Sequence, residues 1–239
     1  MASRFDSGLL HQHIAGKMTS YPTEKRILND VAGIDNWYWP EHDTELFMGP
    51  ANDWVNSHRF KYFNFLTGND VCIQAGGACG MYPKLLSRHF NTVYTFEPHP
   101  ENFYFLNKNC YESNIIKING ALGSAPGFVD VFKDEGTNQG EFRVKQNQSA
   151  RIPTFYIDYF NFDACDFIQL DVEGYELNVI EGGIKTIQRH KPVISCEYNL
   201  HSDLHKLESR LGELDYVKVD ISVSDHIFAH KTKVVLSNG

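Results

Sequence analysis

Basic charge is scarce and scattered in this chain. Its 239 residues hold 22 Lys and Arg against 30 Asp and Glu, a formal net charge of −8, and no run of Lys or Arg exceeds two. Proteins that grip duplex nucleic acid or anionic membranes present a basic stripe, so neither partner is expected. Cysteine is sparse as well: Cys72, Cys79, Cys110, Cys165 and Cys196 make an odd count with no C-x-x-C pair. Reduced thiols in a cytoplasmic protein are expected, rather than disulfides or a structural zinc. The opening MASRFDSGLLHQHIAGK has no apolar core of signal-peptide length, and no stretch approaches the roughly 18 apolar residues of a membrane span. Repeats and low-complexity tracts are absent, which excludes solenoids and long linkers.

What is present suits one packed globule. Hydrophobic residues reach 42%, aromatic residues 13% and charged residues 22%, a balance that excludes a mainly disordered chain. Residues 1–65 are rich in Trp, Tyr and His (Trp37, Tyr38, Trp39, His42, Trp54, His58) with weak periodicity, and read as a helical or irregular lead-in. From Asp70 short apolar runs alternate with helical stretches, the pattern of βαβ units and a parallel sheet. Strands are expected at Val71 to Ala75, Thr92 to Phe96, Ile115 to Ile118, Asp166 to Val172 and Pro192 to Glu197. Helices are expected at Tyr82 to Phe90, from Pro100, from Leu177 to Lys191, and from Leu200 to Leu211. Residues Gly127 to Val144 read as a hairpin excursion. Tyr216 to Val223 and Ile227 to Leu236, joined by Ser224, Asp225 and His226, read as a terminal antiparallel hairpin. The fold class is therefore α/β, a doubly wound, mostly parallel sheet over residues 66–239 with one reversed pair at its end.

In such sheets ligands bind where strand carboxyl ends meet helix starts. The informative segment is VCIQAGGACG, residues 71–80. Glycines between strand and helix let a ligand approach the backbone. About twenty residues on, the second strand ends in Glu97, an acid able to accept from both ribose hydroxyls of an adenosine. Turn plus acid points to a nucleoside cofactor. Ala75, Gly77 and Gly80 fit an A-x-G-x-x-G dinucleotide fingerprint, whereas Gly76 and Gly80 fit the looser G-x-x-x-G of S-adenosylmethionine enzymes. The glycines alone leave both open.

Later segments go further. FEPHPENFYFLNKN (96–109) and DFIQLDVEGYELNVIEGG (166–183), at their distance from the glycine turn, resemble the FkbM family of S-adenosylmethionine-dependent methyltransferases. The resemblance runs from about Asp70 to about Tyr198. It implies a Rossmann-like sheet of class I methyltransferase type, with residues 1–65 covering an acceptor. It implies Gly76, Gly77 and Gly80 around the cofactor's methionine part, Glu97 on the ribose, and Ala121 and Leu122 at the adenine. Asp171, Glu173 and Glu176 would lie beside the transferring methyl, and Asp158 matches a family Asp. Gln74 stands where the family carries Asp, and Gln169 where it often carries Lys; Gln74 could hydrogen-bond the cofactor but not pair ionically with its ammonium.

The expected activity is O-methylation of a hydroxyl on a saccharide or small natural product. The alternatives are an NAD-dependent dehydrogenase and a non-catalytic S-adenosylmethionine-binding protein. An alcohol attacks only once its proton is drawn off, by a base or through a metal. Asp171 is the first candidate and Glu173 the second. Asp171, Glu197 and Asn199 could form an all-oxygen magnesium site, but acids at strand ends also cap the next helix, and capping is the stronger reading. His201 and His205 with Asp203 between them suit a metal or a solvated helix face. His99 suits a base or a helix start, and Cys79 a nucleophile or a small packed side chain.

Overall fold

The computed structural model describes residues 24–27, 37–43, 59–133, 141–147, 150–198, 202–222 and 224–234. Trp54, His58, Asn199, Leu200, His201, Val223, Leu236 and residues 134–140 lie outside the described residues. In the lead-in, Glu24–Ile27 (β1) and Trp37–Pro40 (β2) pair antiparallel, and a 3-10 helix covers Arg59–Phe65. The described part of this segment thus holds a strand pair as well as a short helix.

The repeating units follow. Val71–Ala75 (β3) leads into Met81–Leu86 (α1), Thr92–Phe96 (β4) into Pro100–Asn109 (α2), and then comes Ile115–Ile118 (β5). Ala121–Leu122 (β6), Gly127–Phe132 (β7), Arg143–Gln146 (β8) and Ile152–Phe155 (β9) precede a 3-10 turn at Ile157–Phe160. Phe167–Leu170 (β10), Glu176–Glu181 (α3), Ile184–His190 (α4) and Val193–Glu197 (β11) come next. The described chain closes with Leu204–Glu213 (α5), Tyr216–Ser222 (β12), Asp225–His230 (β13) and Lys231–Val234 (α6).

Seven strands form the main sheet in the order β12-β13-β11-β10-β3-β4-β5. Strands β11, β10, β3, β4 and β5 are mutually parallel, and β13 runs antiparallel to both of its neighbours. The terminal hairpin is present, but β13 inserts between β11 and β12, so one strand is reversed rather than a pair. Strand β13 also stops at His230, where α6 begins, instead of running on toward Leu236. A second sheet, β6-β9-β7-β8, contains the β7–β8 hairpin. Its parallel β6–β9 pair joins distant short segments that carry little periodic signal.

Alternation along the buried strands sends side chains to two cores. Ile168, Leu170, Ile194 and Cys196 meet Val179, Ile180, Ile187, Leu207 and Leu211. Phe167, Cys72, Val93 and Val193 meet Tyr62, Leu86 and Phe90 on the other face. The lead-in joins through Trp39, which is buried with Cys79 and Phe105. Asn109 fastens it there, accepting from the Tyr38 N–H at 2.8 Å and donating to the carbonyls of Tyr38 (2.9 Å) and Cys79 (2.7 Å).

The expected single helix from Leu177 to Lys191 is two helices, broken at Gly182 and Gly183. A Cβ on Gly182 would stand 2.0 Å from the Gly123 carbonyl oxygen, so the chain must pass this point without a side chain. Asp158 then caps α4 from outside, accepting from the N–H groups of Lys185 (3.0 Å) and Thr186 (2.8 Å) and from the Thr186 hydroxyl (2.8 Å). Asp158→Ala should lower unfolding stability by about 1–2 kcal/mol, as for loss of an ordinary cap, read from the denaturant midpoint at constant slope. An unchanged midpoint would show that solvent replaces these bonds at no cost.

Candidate active site

The turn after β3 is built by close approach. The N–H groups of Gly76 and Gly77 both donate to the Phe96 carbonyl, at 3.0 and 3.1 Å. Gly76 has φ +86°, and a Cβ there would lie 1.7 Å from the Asp171 carbonyl oxygen. At Gly77 a Cβ would meet Leu106 at 2.5 Å and the Thr95 hydroxyl at 2.7 Å. These glycines thus make room for the protein's own atoms, whatever else they admit. Gln74 is fully buried: its amide donates to the Gly76 carbonyl at 2.9 Å and accepts from the Thr95 hydroxyl. In this arrangement Gln74 latches the turn to β4.

Glu97, one residue past β4, is 4% exposed. One carboxylate oxygen accepts from the Ala78 N–H at 2.7 Å and the other from the His99 N–H at 2.7 Å, so Glu97 ties the glycine turn to the start of α2. Burial pushes its carboxyl up to about 7, against the pull of those backbone bonds and of Asn102. The Gly120 N–H donates to the Glu97 carbonyl at 3.2 Å, which sets buried Ala121 and Leu122 of β6 close to the end of β4. His99 caps α2 and stacks on Phe142 at 3.8 Å between centroids. Burial, with Lys133 and His42, lowers its imidazole to about 4, which leaves it neutral near pH 7.

Across the turn, the ends of β10, β11 and β13 bring acids together. Asp171 follows β10 directly, its N–H donating to the Ala75 carbonyl at 3.0 Å. Asp171, Glu173 and Glu197 each place a carboxylate oxygen within 4.8 Å of the others. Burial first, then the Glu197 carboxylate, raises Asp171 well above the usual range. Glu173 is pushed up to about 8 by burial and by Glu197, Glu176 and Glu141, with Arg143 opposing. It sits at φ +54°, in the left-handed region before Gly174 at φ +94°. Glu176 is an anchor, accepting from the Gly174 N–H (3.1 Å) and the Ser202 hydroxyl (3.2 Å). Asp225 pairs with Glu197 in the β11–β13 register and accepts from the Tyr82 hydroxyl at 3.1 Å. By its polar neighbours in the sequence Asp225 belongs to a connecting turn; treating it as the first residue of a strand opposite Glu197 would have found it.

Other candidates separate. Asp203 caps α5 and pairs with Lys206 at 2.7 Å, as on a solvated helix face. Cys79 is buried, and burial followed by the Glu97 charge raises its thiol well above the ordinary range, so it is no nucleophile here. Among the described residues no helix is long and apolar enough to cross a membrane.

Glu97 also sets a pH dependence. Its ordinary value is near 4.5 and its folded value about 7, so between them the folded state holds a proton that the unfolded chain releases. The corresponding stability is complete below about pH 4.5 and falls as pH rises through 7. Each tenfold change in proton affinity is worth about 1.4 kcal/mol, so Glu97 alone accounts for roughly 3 kcal/mol. Glu97→Gln should flatten that part of the stability curve measured without ligand; an identical slope in the variant would remove Glu97 as its source.

Residues 87–218, more than half of the chain, match the Methyltransferase FkbM domain. Among curated proteins, the chain is 25% identical over 126 residues to the hexuronic acid methyltransferase AglP of Haloferax volcanii, covering 50% of this chain and 52% of that protein. It thus spans about half the length of the curated relative it matches. Among solved structures, it is similar to the methyltransferase FkbM of Methylobacillus flagellatus KT, with TM-score 0.48 and 19% identity over 68% of this chain and 44% of that one. It is also similar to the putative RNA methyltransferase PH1948 of Pyrococcus horikoshii, with TM-score 0.46 and 11% identity over 84% of this chain and 92% of that one. With the family domain matched over residues 87–218, which include β4, Glu97, β10, β11 and the Asp171, Glu173 and Glu197 cluster, this chain belongs to the FkbM methyltransferase family.

Proposed function

We propose that the chain is a cytoplasmic O-methyltransferase that uses S-adenosylmethionine to methylate a hydroxyl of a saccharide or small natural product. The observation that carries this reading is the meeting of Asp171, Glu173 and Glu197 beside the glycine turn, a carboxyl cluster whose ionised form a sulfonium cation would favour. Family membership favours this cofactor over NAD, and so does the sheet: dinucleotide folds continue with a parallel sixth strand, whereas β13 is antiparallel. The saccharide acceptor rests on the name of the Haloferax volcanii relative.

The cofactor supplies an electrophilic methyl group. The chain's part is to bind, orient and take up a proton. Glu97 would accept the ribose hydroxyls, Ala121 and Leu122 would wall the adenine, and Gly76, Gly77 and Gly80 would shape the turn around the methionine part. Gln74 supports that turn from below through the Gly76 carbonyl. Asp171, with Glu173 beside it, would take up the proton that the acceptor hydroxyl gives up on methylation, which needs Asp171 ionised, a state that burial and Glu197 oppose and a cationic cofactor would favour. Asp171 can act there as base, or as ligand to magnesium held with Glu173 and Glu197. In-line placement of the two reactants accounts for much of the acceleration.

Two substitutions test the roles. Glu97→Ala removes a charged acceptor and should weaken S-adenosylmethionine binding roughly ten- to hundredfold; unchanged affinity would place the ribose elsewhere. Asp171→Asn should keep cofactor affinity while labelled-methyl transfer to a panel of glycosides falls about 10²–10⁴-fold. Normal turnover in that variant would rule out Asp171 as base or ligand.

A further inference from the structure

A row of polar side chains crosses the middle of the main sheet. Thr95, Gln74, Gln169 and Ser195 stand side by side in register on β4, β3, β10 and β11, and all four are 0% exposed. Residues paired in register share a face of the sheet. Thr95 and Gln74 satisfy each other and the glycine turn. Gln169 and Ser195 do not: neither polar atom of the Gln169 amide, nor the Ser195 hydroxyl, has a hydrogen-bond partner among the described residues. A buried polar group left unmade costs about 1–3 kcal/mol, and native interiors keep few of them.

What lies above them on the same face gives these orphans a use. Two residues beyond Gln169, just past the end of β10, comes Asp171, and two beyond Ser195, at the end of β11, comes Glu197, about 7 Å up the strand direction. The Asp171 N–H still bonds to the Ala75 carbonyl, so strand alternation holds through it. One layer below, Phe167 and Val193 return to apolar core. The unpartnered amide and hydroxyl therefore form a polar floor confined to the level directly beneath the carboxylates.

We propose that Asp171, Glu173 and Glu197 bind one hard divalent cation of the magnesium or manganese kind, and that Gln169 and Ser195 hydrogen-bond the water molecules such an ion retains. The donor atoms are all oxygen, which selects a hard cation over zinc or copper. Converging carboxylates repel one another where water is partly excluded, and a divalent ion reverses that energy. Magnesium keeps several of its waters, and these need partners on the protein side, which the buried amide and hydroxyl supply. Binding of the ion stands on this geometry alone; its use in activating an acceptor hydroxyl rests on the methyl-transfer reading.

The test is electron paramagnetic resonance of Mn²⁺ titrated into the metal-stripped full chain. The free-ion signal should be lost at one saturable site per chain, and Mg²⁺ should restore it by competition. Glu197→Gln should weaken binding about 100-fold and Gln169→Leu about tenfold, with thermal unfolding showing that both variants are folded. Absence of saturable Mn²⁺ binding, or equal binding by Glu197→Gln, overturns the site; equal binding by Gln169→Leu removes the polar floor from it. Calorimetry with S-adenosylhomocysteine on the same samples separates the two readings, since cofactor binding without Mn²⁺ binding sinks the ion and leaves methyl transfer standing.

Discussion

The site depends on how closely the carboxyl ends of β3 and β10 approach. Gly76 lies against the Asp171 carbonyl with no space for a Cβ, while the Asp171 N–H reaches back to Ala75. Any side chain at Gly76 would force the two strand ends apart, at a φ that L residues rarely adopt. Because the ends stay together, the turn that follows β3 and the acids that follow β10 open onto one place. Glu97 adds the third side by holding Ala78 and His99 at once, so α2 starts where the turn ends.

That closeness concentrates negative charge. The acids divide by how each is satisfied. Glu97 and Glu176 are held by backbone N–H groups within the fold, and Asp225 accepts from Tyr82. Asp171, Glu173 and Glu197 also face one another, Glu197 accepting from the Ser224 hydroxyl at 3.3 Å, with burial and mutual repulsion holding Asp171 and Glu173 toward their protonated forms. Folding stability alone would not select such a trio, because partly buried like charges destabilise a fold unless something cationic or a shared proton offsets them. The side-chain hydrogen bond between Asp171 and Glu197 lets one proton offset part of that repulsion.

Much of the sheet was legible because buried parallel strands are short apolar runs: β3, β4 and β5 match their expected bounds, and β11 begins one residue later than expected. Spacing singled out the turn glycines and Glu97, and a strand end with the family resemblance singled out Asp171 and Glu173; the structure brings the Glu97 carboxylate to the turn's Ala78 and gathers Asp171 and Glu173 with Glu197. Tertiary contacts hid the rest. The break between α3 and α4 comes from Gly182 passing the Gly123 carbonyl, which no helical periodicity reveals. The place of β13 between β11 and β12 turned Asp225 from a loop residue into a neighbour of Glu197. Gln74, read as a cofactor contact, has its amide engaged within the fold, and Gln169, read as a family departure, proves to be a buried orphan.

The central claim is that the opening between the glycine turn, Glu97 and the Asp171 carboxylates takes S-adenosylmethionine. Isothermal calorimetry of the full chain with S-adenosylhomocysteine and, separately, with NAD tests it most directly. Saturable heat with S-adenosylhomocysteine at one site per chain, and none with NAD, is the predicted result. Heat with NAD alone, or with neither ligand on folded protein, would contradict it.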